Sequence, residues 1–131
     1  MPWFRVDDTL HSHPKPRKAG LAAIGLWTVA GSYCSEYVTE GSVPTWYVTG
    51  WRGGRRLAER LVLARFWHPA GHKCRRCPQP KEGDEWQFHD WEHYQQTKEE
   101  INRDRELNRE RQKRFREKRQ EARADAIRNG K

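Results

Sequence analysis

The sequence predicts a mainly α-helical fold with one small β-hairpin, continued by a long charged helix. Three observations carry this. The composition breaks near residue 96, with all seven tryptophans, all four tyrosines and every proline before it. Two segments before the break have helical apolar stripes, whereas the only strand candidates are short. The 131 residues give room for one small domain and an extension. The expected organisation is therefore a domain over residues 1–96 and a charged basic helical extension over residues 97–131.

In chain order, "WFRVDD" is short and suits an edge strand. "HPKPRKAG" is expected to turn helical only after Pro16, because a residue preceding proline is pushed out of the helical region. "LAAIGLWTVAGSYCSEYV" puts Leu21, Ile24, Trp27, Cys34 and Val38 near one face, beside Leu26, Ala30, Tyr33 and Tyr37. So wide an apolar arc suits a central helix, with Gly41 as its left-handed stop. Cys34 on that arc reads as core. "SVPTWYVTGW" restarts a short helix, Ser42 capping and Pro44 in the first turn. After Gly53-Gly54, a helix over residues 53–66 lines up Leu57, Leu61 and Ala64, with Ala58, Val62 and Phe66 alongside. Its other face carries Arg52, Arg56 and Arg60 at i,i+4 spacing, plus Arg55. "FWH" and "EWQFHDW" are then short strands flanking a cysteine-bearing loop. Helix, turn, arginine-faced helix and hairpin is the order of a winged helix-turn-helix, with residues 53–66 as the major-groove helix and the hairpin as wing.

The tail has no proline and is rich in helix formers, with pairs such as Glu99–Arg103 and Glu110–Arg114 at supportive spacing. One heptad column reads Ile101, Asn108, Phe115, Ala122, and its partner Asp104, Arg111, Lys118, Asp125, so no coiled-coil seam exists. A single solvated helix is expected, either a solubilising tail or a phosphate-contacting arm.

Charge narrows the function classes. The net charge is +8 and the pI about 9.8, which favours a polyanionic partner. Residues 52–76 hold eight basic side chains against Glu59 alone, while residues 97–131 carry a net +5. No apolar run is long enough for a membrane span. "MPWFRVDD" lacks the basic and apolar regions of a secretory signal, and three cysteines are an odd number, so a reducing cytoplasm is expected rather than a disulfide scaffold.

The stretch "WHPAGHKCRRCPQP", residues 67–80, packs two histidines, two cysteines and three prolines into the expected wing. His68, His72, Cys74 and Cys77 read H-x3-H-x-C-x2-C. C-x2-C points two thiolates at one ion, and Zn2+ takes four nitrogen or sulfur ligands. His89 on the returning strand is a candidate to replace either histidine. Arg75 and Arg76 between the cysteines would offset thiolate charge and face a phosphate backbone. The other readings are an unliganded loop and a redox pair, although the helical βαβ setting of a redox pair is missing. "FHDWEHY" holds His89, Asp90 and His93, a fragment of a nuclease-like site with nothing to complete it. "HSHP" reads as a helix-entry turn. No phosphate loop or nucleophile elbow occurs, and no enzymatic activity is expected.

"MPWFRVDDTLHSHPK", "GLW", "AGSYC", "TEGSVP", "RLAERLV" and "FHDWEHYQ" together resemble small helix-turn-helix proteins of actinobacteriophages, similar to the N-terminal winged-helix domains of phage replisome organisers and replication initiators. The resemblance covers about residues 1–100. It implies a DNA-binding role in replication or transcription control. The arginine stripe and the basic loop make Arg52, Arg55, Arg56, Arg60, Arg75 and Arg76 the expected contacts to double-stranded DNA. The resemblance also implies that the knuckle elaborates a wing that is short in similar chains. That favours His68 and His72 over His89, since "FHDW" also occurs without the cysteines. The alternative class is a protein-interaction module that binds a host replication or transcription protein.

Overall fold

The computed structural model describes Trp3–Gly130. It divides into two compact units, one ending at Thr97 and the other starting at Lys98. In the first unit, a 3-10 turn at Leu10–Ser12 leads into α1 (Pro14–Ala19) and α2 (Leu21–Tyr37). Then come β1 (Ser42–Val43), α3 (Thr45–Thr49), α4 (Gly54–Leu63), β2 (Trp67–Pro69), β3 (Trp86–Phe88) and α5 (Trp91–Tyr94). The second unit is one helix, α6 (Lys98–Asn129). The chain is thus mainly helical with a small sheet, as expected. That sheet has three strands, not two: β3 lies in the middle, antiparallel to both β1 and β2.

Several local expectations are corrected. "WFRVDD" forms no strand, and the third strand is Ser42–Val43. The first helix begins at Pro14, ahead of Pro16, capped by His13, whose ring accepts from the Lys15 amide at 3.2 Å. Both prolines fall in the first turn, where the amides have no helical partner to lose. Ser42 does not cap α3. Its hydroxyl donates to Asp84 at 2.6 Å and accepts from the Lys81 amide at 2.8 Å, and Pro44 takes the cap position.

The two main helices also stop where glycine is absent. α2 ends with Val38 left-handed (φ 53°), three residues before Gly41, and the Thr39 amide reaches back to the Cys34 carbonyl at 3.1 Å. α4 ends at Leu63, short of Phe66. Arg65 is left-handed (φ 65°), and the Phe66 and Arg65 amides close on the Leu61 and Val62 carbonyls at 2.9 and 3.0 Å. This is the Schellman closure, here without its usual glycine. "EWQFHDW" is strand only over Trp86–Phe88, because Asp90 turns left-handed (φ 53°) and opens α5.

The core forms where α2 packs across α4 and both cover the sheet. Ala23, Leu26, Trp27, Ala30 and Cys34 of α2 join Ala58 and Leu61 of α4, with Trp67, Trp86 and Phe88 beneath. Cys34 is buried, its thiol pushed up to about 12 by desolvation, and it donates to the Ser42 carbonyl at 3.5 Å, as befits a core residue. Phe4 seats its ring on Gly31, where a Cβ would collide with it, and meets Trp27 edge-on at 4.8 Å between centroids. Every described residue of α6 from Asn102 onward is exposed, and Glu110–Arg114 closes at 3.5 Å with the favourable orientation. At 1.5 Å per residue its 32 residues span about 48 Å. No helix among the described residues is long and apolar enough to cross a membrane.

The α3–α4 turn supplies a stability test. A Cβ on Gly54 would strike the Val48 carbonyl, whereas one on Gly53 (φ 67°) meets nothing within 4 Å. Gly54→Ala is expected to destabilise by about 2–4 kcal/mol, a steric conflict with rigid backbone. Gly53→Ala should cost only about 1–2 kcal/mol for its left-handed backbone. Urea denaturation of both variants measures the difference, and equal losses would contradict the close approach.

Candidate metal centre and arginine face

The loop between β2 and β3 has no apolar core, so its backbone is held by polar side chains. Its two ends meet where the Ala70 amide donates to the Glu85 carbonyl at 2.7 Å. Gln79 bridges the first turn, accepting from the Gly71 amide at 2.7 Å and donating to the His72 carbonyl at 2.6 Å. The Ser42 contacts to Lys81 and Asp84 tie the far side to β1.

This framework brings His68, Cys74, Cys77 and His89 together, with one ligand atom from each lying within 4.8 Å of all the others. Cys74 Sγ and Cys77 Sγ are 3.7 Å apart, Cys77 Sγ and His89 Nδ1 3.3 Å, and His68 Nε2 and His89 Nδ1 2.8 Å. With Zn–S near 2.3 Å and Zn–N near 2.0–2.1 Å, a tetrahedron has edges of about 3.8 Å between sulfurs and roughly 3.3–3.6 Å for the others. The sulfur edge fits as it stands; the histidine pair needs to part by about half an ångström. Two thiolates and two imidazoles form a donor set suited to Zn2+.

His72 is the correction. Its Nδ1 accepts from the Cys74 amide at 3.1 Å, and its Nε2 lies 2.8 Å from the Pro78 carbonyl. One neutral tautomer satisfies both bonds and leaves no lone pair for an ion. The ring stacks on His68 at 4.5 Å between centroids and shapes the loop. His89 takes the fourth place because β3 returns antiparallel to β2, its amide donating to the Phe66 carbonyl at 2.9 Å.

The surroundings favour neutral imidazoles and supply the outer contacts that metal-binding histidines use. Desolvation, with His72 and His89 nearby, lowers the His68 pKa to about 4, and desolvation also lowers that of His89. His89 Nε2 sits 3.2 Å from an Asp90 carboxylate oxygen, which Arg76 also holds at 3.0 Å. Burial pushes the Cys77 thiol up, while the Asp90 amide, donating to its sulfur at 3.2 Å, works in the opposite direction. The sequence signal for this outer contact is the adjacency of His89 and Asp90.

The six arginines are all exposed, but they differ in engagement. Arg55 is bound to Glu85 at 2.7 Å and lies over the Trp86 ring at 5.4 Å, so it clamps α4 to β3. Arg76 is bound to Asp90. Arg52, Arg56, Arg60 and Arg75 take part in none of the ion pairs among the described residues. Arg60 leans back, with Nη1 3.4 Å from the place of a Cβ on Gly20. Arg56 is therefore the least constrained of the helix arginines.

Comparison with known proteins supplies no relative: no protein-family model, no curated protein and no solved structure matches the chain.

The ligand set has a direct test. Titrated with Zn2+, the His89→Ala protein should lose more affinity than the roughly 10–100-fold that outer-contact changes cost, and His72→Ala should stay within that range. Competition with a chromogenic chelator reads both. The reverse ranking would restore His72 as the ligand.

Proposed function

We propose that this chain is a non-enzymatic DNA-binding protein of phage type: a winged helix-turn-helix whose wing is ordered by Zn2+. The observation that carries the reading is the exposed arginine face of α4 beside the β2–β3 hairpin, while the opposite face of α4 is buried. α3, a tight turn and α4 have the order of a helix-turn-helix pair, and the third strand, β1, anchors the hairpin to the helical core. In this reading α4 enters the major groove, Arg56 and Arg60 reach bases or phosphates, and Arg52 and Arg75 contact the backbone. Arg55 and Arg76 act as clamps that set the position of helix and wing. Residues 97–131, with a net +5, add sequence-independent attraction. Zn2+ links β2, the loop and the chain after β3, giving order to a wing without a core. The role fits replication or transcription control in a host bacterial cytoplasm.

A second reading, a module that binds a host replication or transcription protein, is favoured by a surface ladder of aromatics. Tyr37 and Tyr33 lie 4.7 Å apart, Tyr33 and Tyr47 4.7 Å, and Tyr47 and Trp51 6.2 Å, with Trp46 at 5.6 Å from Tyr33 and 65% exposed. Tryptophan and tyrosine dominate the energetics of protein interfaces.

Replacing Arg56 and Arg60 together by alanine should lower duplex DNA affinity at least about tenfold and flatten the salt dependence, because phosphate contacts release counterions. The fold should hardly change, within about 0.5 kcal/mol. Fluorescence anisotropy across a salt series measures it. Unchanged DNA binding in that variant, with Trp46→Ala abolishing capture of a host protein after nuclease treatment, would favour the second reading.

A further inference from the structure

A cavity of about 140 Å³ lies between the N-terminal arm, the start of α1 and the chain around α5. Its size is close to that of an engineered apolar cavity of about 150 Å³ that takes benzene. Phe4, Trp27, Phe66, Phe88 and Trp91 give it an aromatic lining. The arm is fastened as its wall, since the Arg5 amide donates to Gln95 Oε1 and Gln95 Nε2 donates to the Arg5 carbonyl, both at 2.8 Å. Lys15 and Arg65 also line it.

The charges of the lining are unequally satisfied. Asp7 accepts from the Thr9 amide at 2.8 Å and hydroxyl at 2.7 Å, and Asp90 is held by Arg76 and His89. Both acids are therefore occupied by neighbours. Lys15 and Arg65 take part in none of the ion pairs among the described residues. Lys15 Nζ spends one hydrogen bond on the Arg65 carbonyl at 3.2 Å and lies 5.6 Å from the Phe66 centroid, which leaves further N–H donors for a ligand. A pocket with an apolar aromatic body and a few placed polar groups is the general form of a small-molecule site.

We propose that this cavity binds a small planar aromatic anion, its ring on the aromatic lining and its carboxylate or phosphate on Lys15 and Arg65. Burial lowers the Lys15 pKa, with the Arg65 charge adding to this and the Asp90 carboxylate opposing it. An anion beside Lys15 would compensate that desolvation. No residue of α4 lines the cavity, so loss of the Arg56 and Arg60 contacts leaves ligand binding intact, although the lining includes His89 of the metal group.

Benzoate, phenyl phosphate, benzyl alcohol and benzamidine, titrated into the purified full chain, test this. Binding is read by calorimetry and by the indole N–H resonances of Trp27 and Trp91. Benzoate or phenyl phosphate should bind with Kd on the order of 1 mM or tighter, and benzyl alcohol and benzamidine at least about tenfold more weakly. The stronger of the two anions identifies the source as an organic acid or a phosphate ester. Lys15→Gln should weaken the anions about tenfold, Lys15→Arg should restore most of the affinity, and Lys18→Gln, on the same helix outside the lining, should have no effect. The proposal is overturned if no probe moves the Trp27 and Trp91 signals. Equal binding of benzamidine, or a folded Lys15→Gln protein with undiminished benzoate affinity, overturns it as well.

Discussion

The close approach of backbone at Gly54 governs the rest of the first unit. α4 starts where no Cβ fits against the Val48 carbonyl, so α3 and α4 meet at a fixed turn. Once the turn is fixed, the period of the helix decides which residues go inward. Ala58 and Leu61 enter the core with α2, and Arg56 and Arg60 are left outside, with Arg52 in the turn ahead of the helix. The Schellman closure at Leu61–Phe66 then turns the chain sharply into β2. The arginine face, the sheet and the loop above it all take their positions from that one contact.

The loop obeys a different economy. Residues 70–85 bury little apolar side chain, so hydrophobic burial cannot organise them. Side-chain bonds from Gln79, Ser42 and His72 shape it from within, and the His2Cys2 group joins it to the strands. Those four residues come from β2, the loop and the segment after β3. An ion held by them would cross-link three parts of the chain that backbone pairing connects only at the hairpin's base.

The helical layer was legible in the sequence because Leu21–Tyr37 is apolar over a wide arc, as a central helix is, and Gly54–Leu63 has a sharp apolar stripe opposite its arginines. Element ends were less so. Val38 and Arg65 adopt the left-handed conformation that glycine signals, in helix ends closed by the Thr39, Arg65 and Phe66 amides. β1 has only two residues, too few to show a period of two, and "WFRVDD" had the right composition but found no partner strand. The metal group was legible in its cysteines and His68. The choice between His72 and His89 depended on where β3 returns, and strand register is a long-range fact that spacing within residues 68–77 does not contain. The engagement of Arg55 by Glu85 and of Arg76 by Asp90 was hidden for the same reason.

The paired hydrogen bonds between Arg5 and Gln95 have a kinetic consequence. The arm from Trp3 to Thr9 is largely exposed, and an exposed amide exchanges with solvent deuterium quickly. The Arg5 amide is held by Gln95 Oε1 and can exchange only when that bond opens. Opening it also frees the wall on which Phe4 is carried to Gly31 and Trp27. The exchange rate of the Arg5 amide would thus report how often this part of the protein breathes.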